Sequence, residues 1–136
     1  MKKLFILFVL CLHLLFFNKA KAQSNGKLPW SYYMTMTNSC TSADIVLLQG
    51  EGGSMGVDKA NMGIVKEFIS DNAGGDITGS PSANIMCHIN GQEFIMGHVY
   101  LLDNGGAVKF SVEGKEYTNR LSDKGFEFFR SVIASL

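Results

Sequence analysis

The chain has 136 residues, 46% of them hydrophobic and 18% charged, with 12 basic side chains balanced by 12 acidic ones. No basic run occurs and basic residues are not in excess, which disfavours nucleic-acid binding. Two prolines and no fixed-period repeat lead to the expectation of one domain.

In chain order, Lys2 and Lys3 open a basic start. Residues 4–17 are apolar except for His13, and Ala20 and Ala22 supply small residues. This order predicts a cleaved secretory signal over residues 1–22, with the mature domain spanning residues 23–136. The run of about 14 apolar residues falls short of the roughly 20 that a spanning helix needs. Cys11 lies in mid-run without the small residues that precede a lipid-bearing cysteine. The expectation is a secreted or periplasmic protein with no stable membrane insertion after cleavage. Losing Lys2, Lys3, Lys19 and Lys21 leaves 8 basic against 12 acidic residues, a net charge of −4. Cys40 and Cys87 also become the only two cysteines, so an oxidising compartment predicts one disulfide. A free Cys87 packed as a small hydrophobe is the alternative.

Residues 23–28 read as a loose leader. Residues 31–37 alternate, with Tyr32, Met34 and Met36 on one side and Tyr33, Thr35 and Thr37 on the other, which predicts a half-buried strand. Residues 38–43 read as a turn and 45–48 as a short buried strand. A glycine-rich loop follows over 50–56. Residues 57–72 place Val57, Asn61, Ile64, Val65, Phe68 and Ile69 at helical spacing. Ser54 or Asp58 is available to cap that helix, and Gly74-Gly75 to end it. After a polar connection over 76–82, strands are predicted at 83–89, 92–102, 107–112 and 115–121. Asn90-Gly91 is a strong hairpin signal between the first two. Ser122 then caps a helix over 123–135 with Phe126, Phe129, Ile133 and Leu136 on its stripe. The expected class is α+β: an antiparallel sheet in the order strand, strand, helix, four-strand meander, helix, with helices packed on one face.

Three groups carry candidate chemistry. Gly52-Gly53-Ser54-Met55-Gly56 has the spacing of a nucleophile elbow, for which His88 or His98 would be the base and Asp76 or Asp103 the orienting acid. Against it, the chain is short for a hydrolase of that kind, and both histidines fall inside meander strands. Gly50, Gly52 and Gly56 resemble a dinucleotide loop but lack a βαβ unit. Met34 and Met36, with Met86-Cys87-His88 and Met96-Gly97-His98, offer soft ligands that suit copper. A two-residue turn at Asn90-Gly91 sets His88 opposite Glu93 and His98 opposite Ala83, too far apart to share an ion. No metal and no cofactor is expected. Trp30, Tyr32, Tyr33 and Tyr100 form a candidate interface, with Tyr117 a further aromatic, because Trp and Tyr anchor binding surfaces.

The sequence therefore favours an exported binding domain over an enzyme. Its partner would be a protein or a small apolar or glycan ligand, in the manner of envelope inhibitors and immunity proteins. The competing expectation is a small secreted hydrolase using Ser54.

Overall fold

The computed structural model describes residues 26–135; the predicted signal over residues 1–22 lies outside them. Turn chemistry sets the centre of the sheet. Asn90 and Gly91 both take positive φ, as a two-residue hairpin turn requires, and join β4 (Ala83–Ile89) to β5 (Gln92–Leu102). Gly105 opens β6 (Gly105–Val112), and Glu113-Gly114 turns it into β7 (Lys115–Leu121). Before these come α1 (Trp30–Ser39), β1 (Ser42–Leu47), β2 (Gly53–Val57), a 3-10 turn (Lys59–Asn61), α2 (Met62–Lys66) and β3 (Ile69–Ala73). Helix α3 (Asp123–Ala134) closes the fold, with the Ser122 hydroxyl accepting from the Gly125 amide as expected of a cap. The strands form one antiparallel sheet in the order β2-β1-β4-β5-β6-β7-β3. The α+β class stands; the element order does not.

Alternation gives the sheet an inner and an outer face. Ala43, Ile45, Leu47, Ala83, Ile85, Cys87, Val99, Val108, Phe110 and Leu121 are buried on the inner side. Tyr33 of α1 meets the Phe110 ring edge-on at 5.7 Å, and Phe129 of α3 packs on Phe68 at 4.8 Å. At the far end of α3, Val132 shares a small cavity with Leu47 and Met55. The Tyr33–Phe110 contact sets α1 against the inner face, and Val132 of α3 lines a cavity with the inward-facing Leu47.

Residues 31–37 are helical, not a strand. The buried positions are Tyr33, Thr37 and Cys40, spaced four and three apart. Tertiary anchoring overrides β-propensity here. The Tyr33 hydroxyl donates to the Val65 carbonyl, and Cys40 is bonded to Cys87 with the Cα atoms 5.7 Å apart. The helix's own hydroxyls turn inward: Thr35, Thr37 and Ser39 each donate to a carbonyl four residues back.

The glycine-rich stretch is only partly a loop, because residues 53–57 pair with β1 as an edge strand. The helix expected over 57–72 shrinks to the 3-10 turn and α2, and Asp58 is its cap. Residues beyond Phe68 instead pair with β7. Ser70, Asp71 and Asn72 are weak helix formers, and the sheet satisfies their backbone. The described part of the predicted loose leader, residues 26–28, is also fastened. Leu28 is buried, its amide donates to Asn119 Oδ1 at 2.7 Å, and Asn119 Nδ2 donates to the carbonyls of Leu28 and Ser70. Asn119→Ala would strand the Leu28 amide in the core, and is expected to cost about 1–3 kcal/mol in denaturant unfolding. Asn119→Asp, which keeps only the acceptors, is expected to lose the bonds from Nδ2.

Chain order forces one long crossing. Strand β3 ends at one edge, whereas β4 starts between β1 and β5, so residues 74–82 must traverse β7, β6 and β5. They do so over the outer face. A Cβ on Gly74 would lie 2.5 Å from Thr118 Cγ2 and 3.0 Å from Ala107 Cβ, both on that face. Only glycine fits at that approach. Thr118, Ala107 and Tyr100 are consequently buried although they face outward. The crossing ends with the Ser82 amide donating to Val99 O, and Ser82 Oγ accepting from the Leu101 amide.

Candidate functional site

The crossing buries Thr118, Ala107 and Tyr100 on the outer face and leaves the outward residues of β1, β4 and the first half of β5 outside its cover. Strand register builds that open part in rows. Ser42, His88 and Glu93 form one row, and Asp44, Met86 and Ile95 the next. Val46, Asn84, His98 and Lys109 form the third. Met86 and Val46 are half-buried, and Ile95 is 46% exposed. An apolar centre is thus bordered by polar and charged groups.

The polar border is internally bonded. His88 Nε2 donates to Asp44 Oδ2 at 2.7 Å, while its Nδ1 lies 4.0 Å from Glu93 Oε2. His98 Nδ1 donates to Asn84 Oδ1 at 2.7 Å. Beside Asp44 lies an open hollow of about 350 Å³ lined by Ser42, Asp44, Gly56, Asp58 and Asn61. A Cβ at Gly56 would approach Asp44 Oδ1 to 3.3 Å, so glycine keeps the carboxylate's second oxygen clear.

His88 stands opposite Glu93 as the turn implies, but His98 stands opposite Asn84 rather than Ala83. The cause is a bulge in β5, where Met86 pairs with Ile95 and Ile85 with Gly97, leaving Met96 extra. Gly97 then permits close packing, since a Cβ there would sit 2.6 Å from Val108 Cγ1.

The hydrolase residues are not brought together. Ser54 lies within β2, not on a strand-to-helix turn. It pairs with Val46, which pairs with Asn84, which pairs with His98. Three strand spacings, about 14 Å, therefore separate Ser54 from His98. His88 is two strands from Ser54 and about 13 Å further along them. Asp76 and Asp103 make no hydrogen bond or ion pair to either imidazole among the described residues.

The sulfur and imidazole groups are scattered too. Cys87 faces inward and is bonded to Cys40, while its neighbour His88 faces outward. Met34 and Met36 lie on α1. Among the described residues no group of three or more His, Cys, Asp or Glu is arranged to hold a metal ion.

The predicted aromatic interface separates as well. Trp30 and Tyr32 are exposed on α1. Tyr33 is fully buried beneath the helix, and burial pushes its phenol far above the usual tyrosine range. Tyr100 is buried on the opposite face of the sheet, with the Lys109 ammonium 5.6 Å above its ring. Tyr117 is half-buried on the inner face. The sequence reading missed the roles of Asp44, Met86 and Ile95. Their signal was available in alternation: starting β1 at Ser42 puts Asp44 and Val46 outward, and counting back from Asn90-Gly91 does the same for Met86.

Comparison with known protein families, with curated proteins and with solved structures finds no match to this chain.

Proposed function

We infer that this chain is an exported binding domain that grips a protein partner with the open part of its sheet. One observation carries the reading: the chain's own crossing buries Tyr100, Ala107 and Thr118 on the outer face, yet leaves Ile95, Met86 and Val46 outside its cover. An apolar centre with a polar border is the anatomy of a recognition surface. The relief is a broad face and an open hollow, which suits a protein surface better than an enclosed small ligand. The Asp44 carboxylate, which lines the hollow, suits a donor from the partner, such as an amide, lysine or arginine. Export is supported by the signal pattern in residues 1–22 and by the Cys40–Cys87 bridge, which belongs to oxidising compartments. An inhibitor or immunity role fits such a domain. No geometric observation favours the Ser54 hydrolase.

The test uses the whole exported chain as bait in extract from its source compartment. Wild type is compared with Ile95→Lys on the open face and Glu127→Lys on the solvent side of α3. A specific protein retained by wild type and Glu127→Lys, and reduced at least tenfold by Ile95→Lys, is the expected result; tenfold corresponds to about 1.4 kcal/mol. Equal retention by all three would refute the outer face as the site.

A further inference from the structure

The crossing is pinned at its two ends and free between them. The Gly74 amide donates to Thr118 O, and the Ser82 amide donates to Val99 O. Residues 75–81 make no hydrogen bond or ion pair to any other described residue. Ile77 and Pro81 are half-buried and the others are exposed, so Ile77 is the one large aliphatic side chain that holds the segment down. The segment is also longer than its path. Its anchors lie at most four strand spacings across the sheet and two residues along it, no more than about 20 Å. Residues 74–82 can reach about 27 Å when extended. The slack is taken up at Gly75 and Gly79, which have positive φ and no atom within 4 Å of an added Cβ.

We propose that residues 75–81 are a strap that lifts from the folded sheet, hinged at Gly75 and Pro81 and latched by Ile77, and that lifting uncovers Tyr100. A segment without hydrogen bonds and with one apolar contact belongs to the least stable part of a fold, and it opens while the sheet stays intact. Tyr100 is 8% exposed, and its hydroxyl has no hydrogen-bond partner among the described residues. The other deeply buried tyrosine, Tyr33, has its hydroxyl bonded to the Val65 carbonyl. Packing under the strap therefore uses the Tyr100 ring and leaves the hydroxyl unused. On the outward side of β5, Tyr100 follows Ile95 and His98, so lifting extends the open face along that strand. A partner docked at Ile95 then gains an aromatic anchor with a free hydroxyl, the side chain most used for that purpose. That consequence rests on the docking reading above. The lifting does not, because it is a property of the chain alone.

Nitration of the full chain with tetranitromethane, mapped tyrosine by tyrosine, reads the lifting without any partner. Tyr32, 44% exposed, is the open reference, and Tyr33, 0% exposed, is the closed one. Tyr33 is expected to react only through global unfolding, at a rate that climbs with denaturant. Tyr100 is expected to react at least about tenfold more slowly than Tyr32, at a rate that stays flat with denaturant below the unfolding transition. Ile77→Ser removes the latch and is expected to speed Tyr100 at least about fivefold while Tyr32 is unchanged. A slow leak of reagent past a fixed strap would not respond to position 77. Should Ile77→Ser lose the wild-type circular dichroism, Ile77→Ala takes its place with the same expectation. A Tyr100 rate that climbs with denaturant in step with Tyr33 overturns the proposal. So does a rate equal to that of Tyr32, or one that the substitution at Ile77 leaves unchanged. None of these results touches docking at Ile95, which the Ile95→Lys comparison reads separately.

Discussion

Removing the Cys40–Cys87 bridge with the double substitution Cys40→Ala and Cys87→Ala is expected to cost about 4 kcal/mol of folding stability. The two cysteines are 47 residues apart, so the bridge closes a long loop and removes much of the unfolded chain's freedom. The loss falls chiefly on α1. That helix is rich in Tyr, Thr, Ser and Asn, which favour strands or weaken helices, and it has no side-chain cap at Pro29. It is held at its C-terminal end by the bridge to the middle of β4 and along its length by Tyr33. Thermal unfolding with and without reductant measures the effect. A fall in Tm above about 10 °C, with helical signal lost before sheet signal, is expected for a domain of this size. A fall below about 3 °C would show that packing around Tyr33 holds α1 without the bridge.

The second large effect comes from a single methyl group. Gly125→Ala would normally strengthen a helix by about 1 kcal/mol. In α3 the sign reverses. The added Cβ would lie 2.2 Å from the Phe68 carbonyl oxygen, 2.8 Å from its carbon and 2.9 Å from its Cα. These are backbone atoms fixed by the Ser122 amide on Phe68 O and the Ser122 hydroxyl on Glu67 O, so they cannot rotate away. The helix must lift, and Phe129, packed on Phe68, lifts with it. A loss of about 3 kcal/mol or more is expected, at the upper end of overpacking effects. Gly63→Ala in α2 is the matched control, since nothing lies within 4 Å of its added Cβ. It is expected to be neutral or to stabilise by up to about 1 kcal/mol. Denaturant unfolding of the two variants decides the matter. Equal stability would mean that α3 can slide away from Phe68 without cost.

These two predictions mark where local sequence signals carried and where they stopped. From Ala83 to the end of α3 the chain advertises its structure, because turn glycines, alternation and a serine cap all act within a few residues. Before that, the outcome depends on contacts across long separations. Tyr33 reaches Val65, Cys40 reaches Cys87, and residues 69–73 pair with the other end of the chain. None of these is readable from period or propensity in a short window. The open face was half legible. The hairpin turn sets His88 against Glu93, but the bulge at Met96 moves His98 by one residue. Only the crossing of residues 74–82 decides that Tyr100, Ala107 and Thr118 are buried on the outer face while Ile95 stays exposed. That crossing follows from strand order, which no local pattern encodes.

On the proposed reading, a protein partner docks on the open part of the outer face around Ile95. A photo-crosslinking amino acid placed at Ile95 in the full chain, irradiated in living source cells, puts this docking face to the test. A discrete crosslinked species is expected from position 95, and none from the same residue placed at Glu127. Crosslinks from position 127 but not from 95, or from neither, would contradict it.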